Sequence, residues 1–246
     1  MAETIRDAEA EWFRDTPNAV PLPGLKLGAT DSAHNVFFGR KGHRTVAIKP
    51  YSGRNPESSA KHERQMLEII RCAGFATLTP IEVQVGKDGV FSYLLTQHES
   101  GLTTVSTIVQ DRGVNVDATL QETARTLARA HSAGISHGDA QAKNFAIKIG
   151  QEGVMIIDPE KGGTDDIGHI KTAPMQHDID SMVQSLAHLG YGGRNVDIAG
   201  DRVMANVLDP YYTEASRVMS TAQAESLTMQ ALDTFMEKRD QLNGAA

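Results

Sequence analysis

The pattern of hydrophobic and polar positions changes once along the chain. Over residues 25–95 apolar positions mostly alternate with polar ones, which predicts strands with one clear helix among them. From about residue 106 onward they recur every three or four residues, which predicts helices interrupted by two short strands. A polar stretch ending in glycine, residues 97–101, separates the two parts. The sequence therefore predicts an α+β fold with a small sheet-rich lobe followed by a larger helical lobe.

Three segments follow from this change of pattern. Residues 1–24 are predicted to form a helix over positions 3–14 and then a connector whose Pro and Gly residues end helical structure. Residues 25–97 form the small lobe, and residues 98–246 form the large lobe. A chain of 246 residues is long enough to build two lobes around one cleft.

Two elements of the small lobe carry charged side chains at notable positions. Residues 44–49 form a strand on which Lys49 points to the face opposite Val46, because side chains alternate along a strand. Residues 57–70 form a helix, and the spacing of its apolar residues sets Glu63 within the apolar stripe. The small lobe thus has a lysine and a glutamate on consecutive elements.

The strongest chemical signal is the segment HGDAQAKN at residues 137–144, between a helix and a predicted strand hairpin. Asp139 and Asn144 lie within it, and Asp158 directly follows the second strand of the hairpin. Phosphoryl transfer from ATP needs a carboxylate that accepts the proton of a hydroxyl group. It also needs carboxylate and amide oxygens that hold Mg²⁺ against the phosphates. These three residues therefore indicate an ATP-dependent phosphotransferase.

The composition indicates which classes of partner and which cellular setting to expect. Residues are 40% hydrophobic and 22% charged, as in ordinary globular proteins. The net charge is −7 and no Lys/Arg run is long, so we expect no nucleic-acid partner. No stretch approaches 18 apolar residues, so we expect no membrane partner. Cys72 is the only cysteine, so an intramolecular disulfide and a zinc site built on several thiolates are both excluded. A single cysteine also favours a reducing, cytoplasmic setting.

These motifs resemble those of the protein kinases over about residues 25–189. The segment 137–144 is similar to the catalytic loop H-R-D-x-x-x-x-N, and Asp158 stands where the aspartate of D-F-G would be. The sequence VAIK at 46–49 is the same as the kinase strand that carries the phosphate-binding lysine. The resemblance implies a bilobal protein-kinase-like fold and the use of ATP and Mg²⁺.

The resemblance also implies roles for the catalytic residues. Lys49 contacts the α- and β-phosphates and is held by an ion pair with Glu63. Asp139 is the catalytic base that orients or deprotonates the acceptor hydroxyl. Asn144 and Asp158 bind Mg²⁺. In the same way, His137 is implied to be a structural histidine, and Asp178 is implied to brace the catalytic loop from below.

Further residues are implied to contact the nucleotide. Gly28 and Ala29 lie in a degenerate glycine-rich loop that would cover the phosphates. Gln97 and His98 lie at the hinge, where backbone groups would meet adenine. Lys143 is either close to the γ-phosphate or a solvated surface lysine.

Two departures from the kinase pattern resemble its atypical branches. The arginine that usually follows the loop histidine is Gly138, and D-F-G is replaced by D-P-E at 158–160. Similar changes occur in the RIO-like and tRNA-modification-associated kinases and in the aminoglycoside and fructosamine kinases. The usual arginine receives an activation-loop phosphate, so we expect no control of that kind here.

Three functions remain open from the sequence. The first is a compact atypical Ser/Thr protein kinase that uses Mg-ATP. The second is a small-molecule kinase of the aminoglycoside, choline or fructosamine type, since the acceptor is not encoded in these motifs and is either a protein or a small molecule. The third is a pseudokinase that acts as a binding module, which is disfavoured because no catalytic position is lost.

Overall fold

The computed structural model describes residues 2–22, 36–111, 115–159, 161–165, 171–193 and 195–244. The chain divides into two compact units, Met1–Leu102 and Thr103–Ala246. This division lies just after the polar stretch 97–101. The first unit is a sheet with two helices and the second is mostly helical, as in a protein-kinase-like α+β fold.

The first unit is built on a five-stranded antiparallel sheet with strand order β1-β2-β3-β5-β4. The predicted strand at 44–49 and the predicted helices at 3–14 and 57–70 are all present, with ends extended by one or two residues. In chain order the elements are α1 (Ala2–Asp15), β1 (Ala19–Pro21), β2 (Phe37–Lys41), β3 (Arg44–Tyr51), α2 (Pro56–Cys72), β4 (Pro80–Val85) and β5 (Ser92–Gln97).

The two faces of this sheet pack against different helices. Trp12 of α1 belongs to one buried cluster with Ile48 and Leu95, whereas Leu67 of α2 belongs to another with Leu94. Leu94 and Leu95 are neighbours on β5, so they point to opposite faces of the sheet. Burial of each such side chain contributes about 1.5–3 kcal/mol, which holds α1 and α2 in place.

The described residues of the second unit form six α-helices and short strands. The strand β6 (Leu102–Thr104) crosses the division, and β6, β8 and β9 form a sheet, as do β7 and β10. The elements that follow are α3 (Val105–Gln110), α4 (Val116–Ser132), β7 (Ile135–Ser136), a 3-10 turn (Ala142–Asn144), β8 (Phe145–Lys148), β9 (Met155–Ile156), β10 (Gly163–Thr164), α5 (Thr172–His188), α6 (Val196–Val203), a π-helical turn (Met204–Leu208), α7 (Asp209–Ala215) and α8 (Thr221–Gly244).

Helix pairs form the core of this unit. Helix α4 packs against α7, and α5 packs against α8. The catalytic-loop segment lies between α4 and the hairpin β8–β9, as the sequence predicts. Within the described ranges, no helix combines the length and apolar character needed to cross a membrane.

Candidate active site

The first unit contains the predicted ion pair. Nζ of Lys49 lies 2.6 Å from Oε2 of Glu63, and the Glu63 side chain is 3% exposed. Lys49 lies on β3 and Glu63 on α2, which packs on the same face of the sheet. The hydroxyl of Tyr51 donates a hydrogen bond to the same oxygen, and the Lys49 ammonium lies 5.1 Å from the centre of the Tyr51 ring. The lysine is therefore held in one position by two neighbours.

The catalytic-loop segment holds the carboxylate of Asp139 from two sides. Nε2 of Gln141 donates to Oδ1 of Asp139 over 2.7 Å. Nδ2 of Asn144 donates to the main-chain oxygen of Asp139 over 2.7 Å and lies 3.5 Å from its Oδ2. Asn144 is buried, so its position is fixed by the core. Two neutral amides thus orient the carboxylate.

The hairpin brings Asp158 beside Asn144. Strand β8 pairs with β9 so that Phe145 lies opposite Ile156, and the N–H of Ile157 donates to the main-chain oxygen of Asn144 over 2.9 Å. Asp158 follows at once, with a φ of +59°. That left-handed conformation is uncommon for a residue with a side chain, although Asp adopts it more readily than most, and such residues concentrate at functional sites.

Asn144 and Asp158 fit a bound Mg²⁺. Oδ1 of Asn144 is buried and has no hydrogen-bond partner among the described residues, although Nδ2 of the same amide is bonded. A buried amide oxygen without a partner is costly unless something binds it. In the described part of the chain, no three His, Cys, Asp or Glu side chains form a metal cluster. Mg²⁺ in kinase sites needs few protein ligands, because phosphates and waters supply the others.

Asp178, at 0% exposure, braces the catalytic loop as the kinase resemblance implies. Its carboxylate accepts hydrogen bonds from the N–H groups of His137 and Gly138, over 2.6 and 2.7 Å. It also lies 3.0 Å from Nε2 of His131, whose Nδ1 lies 2.7 Å from the Tyr211 hydroxyl. Burial alone raises the pKa of Asp178, but the hydrogen bond and charge of His131, together with His137, outweigh burial and hold that pKa below its ordinary value.

His137 has a structural position, as expected. One ring nitrogen, Nε2, lies 2.9 Å from the main-chain oxygen of Ile157, and the ring packs beside Phe145. The other, Nδ1, accepts a hydrogen bond from the N–H of Asp139 over 3.3 Å. Both ring nitrogens are therefore engaged with the backbone around Asp139 and Asp158.

The structure gives a steric reason for Gly138. Its φ is +76°, and a Cβ at this position would lie 2.0 Å from the main-chain oxygen of Lys161. The segment after Asp158 thus crosses directly over the catalytic loop, where β10 also pairs with β7. An arginine at position 138 is excluded by this contact as well as by the backbone conformation.

Three of the predicted nucleotide contacts are not decided by the structure. Gly28 and Ala29 lie outside the described residues, so their role stays a prediction. Lys143 is half-buried in the 3-10 turn. Both interpretations of Lys143 therefore stay open.

The hinge residues Gln97 and His98 lie at the end of β5. The N–H of Gln97 donates to the oxygen of Thr79 over 2.9 Å, and the N–H of His98 donates to the oxygen of Thr45 over 3.2 Å. A cavity of about 720 Å³ opens beside all four residues. Because these two N–H groups bond within the first unit, a contact of the hinge with adenine requires other main-chain groups, and it stays a prediction.

Sequence reasoning missed three residues that contact the groups described above, one in the first unit and two in the second. Tyr51 has a period-2 signal, since it lies two positions after Lys49 and so shares its face of the strand. Gln141 lies inside the motif, but only the structure shows that its side chain turns back to Asp139. Tyr211 is distant in sequence and carries no signal of its contact with His131.

Comparisons with known proteins identify one family and similar solved structures. The sequence profile of the lipopolysaccharide kinase (Kdo/WaaP) family matches residues 31–199, which include the ion pair, the catalytic loop and Asp178. A solved structure, "WaaP in complex with acyl carrier protein", is similar with a TM-score of 0.57 and 16% identity, covering 94% of this chain and 92% of that chain. No curated protein sequence matches significantly.

The family that matches belongs to the protein-kinase-like superfamily, and its members are ATP-dependent phosphotransferases. None of the atypical branches that the motifs resemble is confirmed. The profile covers more than half of the chain. This chain is therefore a member of the lipopolysaccharide kinase (Kdo/WaaP) family.

Proposed function

We propose that this protein transfers the γ-phosphoryl group of ATP to a sugar hydroxyl of lipopolysaccharide. The observation that carries the proposal is the family match over 31–199. The hydrogen bonds of Gln141 and Asn144 to Asp139 support its proposed role as the catalytic base of the matched segment. The sugar acceptor is a form of the small-molecule alternative considered above. It has better support than a Ser/Thr protein kinase, because the family is defined by lipopolysaccharide kinases.

The proposed reaction is a direct displacement. The oxygen of the sugar hydroxyl bonds to the γ-phosphorus while the bond from that phosphorus to the β–γ bridging oxygen breaks. The hydroxyl proton passes to the carboxylate of Asp139, and ADP leaves. General-base catalysis of this kind is worth about 10²–10⁴-fold. The amide of Gln141 maintains the base in its orientation, and Asp178 supports the loop on which the base lies.

Lys49 and the metal site complete the proposal. Lys49, held by Glu63 and Tyr51, would bind the α- and β-phosphates of ATP. Asn144 and Asp158 would hold Mg²⁺, which neutralises charge on the phosphates when it is bound. The unpartnered amide oxygen of Asn144 supports this assignment.

A protein partner and a location are further parts of the proposal. The similar solved structure is that of WaaP with acyl carrier protein. We propose that this chain also binds an acyl carrier protein, and that it does so in the cytoplasm, where ATP is available. Size-exclusion chromatography of the chain with and without holo-acyl carrier protein tests this partner. The absence of a shared peak would contradict the proposed binding.

The test of the activity is transfer of labelled phosphate from ATP. Dephosphorylated lipopolysaccharide, a Ser/Thr peptide mixture and an aminoglycoside are offered in parallel, with the Asp139→Asn variant as the control. We expect label on lipopolysaccharide with the wild-type protein and little with the variant. Label on peptides alone would favour the protein-kinase alternative, and label on no acceptor despite ATP binding would favour a pseudokinase.

A further inference from the structure

A cavity of the second unit is lined by residues outside the catalytic loop. It has a volume of about 840 Å³, and its lining includes Val116, Asp117, Leu189, Tyr191, Gly192 and Arg202. Asp117 lies in the first turn of α4, whereas the catalytic loop follows the end of this helix. The N–H of Ala142 in the catalytic-loop segment donates to the hydroxyl of Ser185 on α5 over 3.0 Å, and Leu189 on the cavity wall lies one helical turn after Ser185. The cavity wall thus comes close to the catalytic-loop segment but does not include Asp139, Asn144 or Asp158.

A fixed pair of opposite charges lies on the wall of this cavity. Nη2 of Arg202 donates to Oδ1 of Asp117 over 2.7 Å, and the hydroxyl of Tyr191 donates to the same oxygen over 2.7 Å. The guanidinium also lies over the Tyr191 ring, 4.7 Å from its centre. The side chains of Arg202 and Asp117 are 44% and 46% exposed, so both charges remain accessible from the cavity.

Buried groups hold this pair from behind. Tyr191 is buried, and its hydroxyl accepts a hydrogen bond from Nδ2 of Asn206 over 3.1 Å. Asn206 lies in the π-helical turn and accepts from Gln121 of α4 over 2.9 Å. Surface ion pairs are usually loose, and their contribution to stability is small. This pair is instead anchored at Tyr191, which is how polar groups are held in binding sites.

The protonation states agree with a fixed pair. Burial alone raises the pKa of Asp117, but the hydrogen bonds from Tyr191 and Arg202 lower it below its usual range. Burial and the neighbouring Asp117 raise the pKa of Tyr191 to about 12. Asp117 is thus a carboxylate and Tyr191 a neutral donor at neutral pH.

The chemistry of this wall selects a particular kind of ligand. A guanidinium carries five N–H donors, and Asp117 engages one end of it, which leaves donors for a phosphate or a carboxylate. Tyr191 and Arg202 both use Oδ1 of Asp117, so its other oxygen can accept from hydroxyl groups. A ligand that offers an anionic group and adjacent hydroxyls satisfies both side chains, and a sugar that carries a phosphate or carboxylate has this arrangement.

We infer that the cavity around Asp117 and Arg202 binds an anionic sugar of the acceptor, away from the hydroxyl that is phosphorylated. This inference rests on the proposed function for the identity of the acceptor. Because the cavity wall does not include Asp139, the acceptor must extend beyond the sugar that is phosphorylated. Simultaneous contact at both places raises the affinity for the whole acceptor above that for either part alone.

Direct binding tests the inference without catalysis. Deacylated lipopolysaccharide oligosaccharide is titrated by calorimetry into the full chain, with no ATP present, and compared with neutral maltotriose and with inorganic phosphate. We expect Arg202→Gln to weaken oligosaccharide binding by about tenfold or more, in line with the loss of one charge-assisted contact. Arg217→Gln is the matched control, because Arg217 is in an exposed ion pair with Glu214 and does not line the cavity.

Each outcome has a defined meaning. Equal affinity of wild type and Arg202→Gln for the oligosaccharide overturns the site, as does an absence of wild-type binding. Equal binding of inorganic phosphate and oligosaccharide overturns the sugar part of the inference, and maltotriose binding overturns the need for an anion. Asp117→Asn is the second variant if Arg202→Gln does not fold, and the same outcomes apply to it.

The same titration separates this inference from the proposed function. The Asp139→Asn variant is expected to bind the oligosaccharide like wild type while it transfers no phosphate. If wild type binds the oligosaccharide in a way that depends on Arg202 and yet transfers no phosphate to lipopolysaccharide, that result would support the binding site and contradict the proposed function. Transfer by wild type without dependence of binding on Arg202 would do the reverse.

Discussion

Replacement of Asp178 by Asn tests the brace beneath the catalytic loop. In the wild type, Oδ2 of Asp178 faces the N–H of His137 and the ring of His131, and Oδ1 accepts from the N–H of Gly138. An asparagine has only one acceptor oxygen, so its NH₂ group must face at least one of these buried donors. The change is nearly isosteric, and the main effect is therefore electrostatic.

The magnitude follows from the contacts. Hydrogen bonds to a charged group contribute about 1.5–3 kcal/mol each, and a buried donor left without a partner costs about 1–3 kcal/mol. Removal of one member of a buried charged network typically costs about 3–5 kcal/mol, which we expect for Asp178→Asn. For a protein of this size that corresponds to a decrease in Tm of about 6–20 °C. Turnover should fall as well, because misplacement of a base by about 1 Å can cost about 10²-fold.

The assay is thermal unfolding followed by circular dichroism, with Asp180→Asn as the control. Asp180 lies on the same helix, and its carboxylate accepts only from Gln176 among the hydrogen bonds seen for it, so we expect a change in unfolding free energy within about 0.5 kcal/mol. Equal Tm and turnover for Asp178→Asn and Asp180→Asn would refute the brace.

The difference between wild type and Asp178→Asn should also depend on pH. The folded state lowers the pKa of Asp178, so the ionised carboxylate contributes stability that is fully present above its unfolded pKa of about 3.9. This contribution is lost as the pH falls through the lower, folded value. Asparagine does not titrate, so the stability gap should be largest near neutrality and shrink below about pH 4. A gap of constant size from pH 7 to pH 3 would contradict the lowered pKa.

Substitutions at five further positions test the candidate site. Asp139→Asn should lower phosphate transfer by about 10²–10⁴-fold but leave ATP affinity nearly unchanged in calorimetry, because the base acts on the acceptor. Asp158→Ala should remove the Mg²⁺ dependence of ATP binding, and Asn144→Ala should weaken it less, because a neutral amide is a poorer ligand than a carboxylate. Gly138→Ala should lower the free energy of unfolding in urea by more than about 1 kcal/mol, since its φ is positive and Lys161 leaves no space. Gln141→Met should lower turnover more than Gln141→Lys, which keeps a donor for the base.

Each contrary result would contradict one particular assignment. Wild-type turnover in Asp139→Asn would show that Asp139 is not the base. An unchanged metal response in Asp158→Ala would show that Asp158 does not bind the metal. Normal stability of Gly138→Ala would show that the strand pairing around Lys161 can yield. Equal turnover of the two Gln141 variants would mean that the hydrogen bond to Asp139 does not position the base.

The pairing of Lys49 with Glu63 was predictable because both positions follow local periodicities. Alternation along β3 decides the face of Lys49, and the helical stripe of α2 decides the face of Glu63. Tyr51 follows the first of these periodicities, because it lies on the same face of β3 as Lys49. Its contact with Glu63 nevertheless depends on how closely α2 approaches the sheet, which packing decides.

The structural role of Gly138, in contrast, was not predictable from local periodicity. Sequence comparison with kinases presents it as a missing arginine, whereas the structure shows a backbone with positive φ pressed against Lys161. That contact joins the catalytic loop to a segment more than twenty residues later, so no local pattern contains it. The acceptor was likewise not readable from the motifs, because they concern only the nucleotide chemistry. The proposal of lipopolysaccharide as the acceptor rests on the family match.

The sequence alone therefore determined the lobe order and the strand and helix faces and led to the proposal of Asp139 as the base, since each depends on neighbours in the chain or on a contiguous motif. The tertiary structure decided how Asp178 holds the loop, how Gln141 orients Asp139, and how Asp117, Tyr191 and Arg202 meet at one cavity. These contacts join residues whose side chains meet only after helices pack, and that packing depends on the shape of the whole core rather than on any local period.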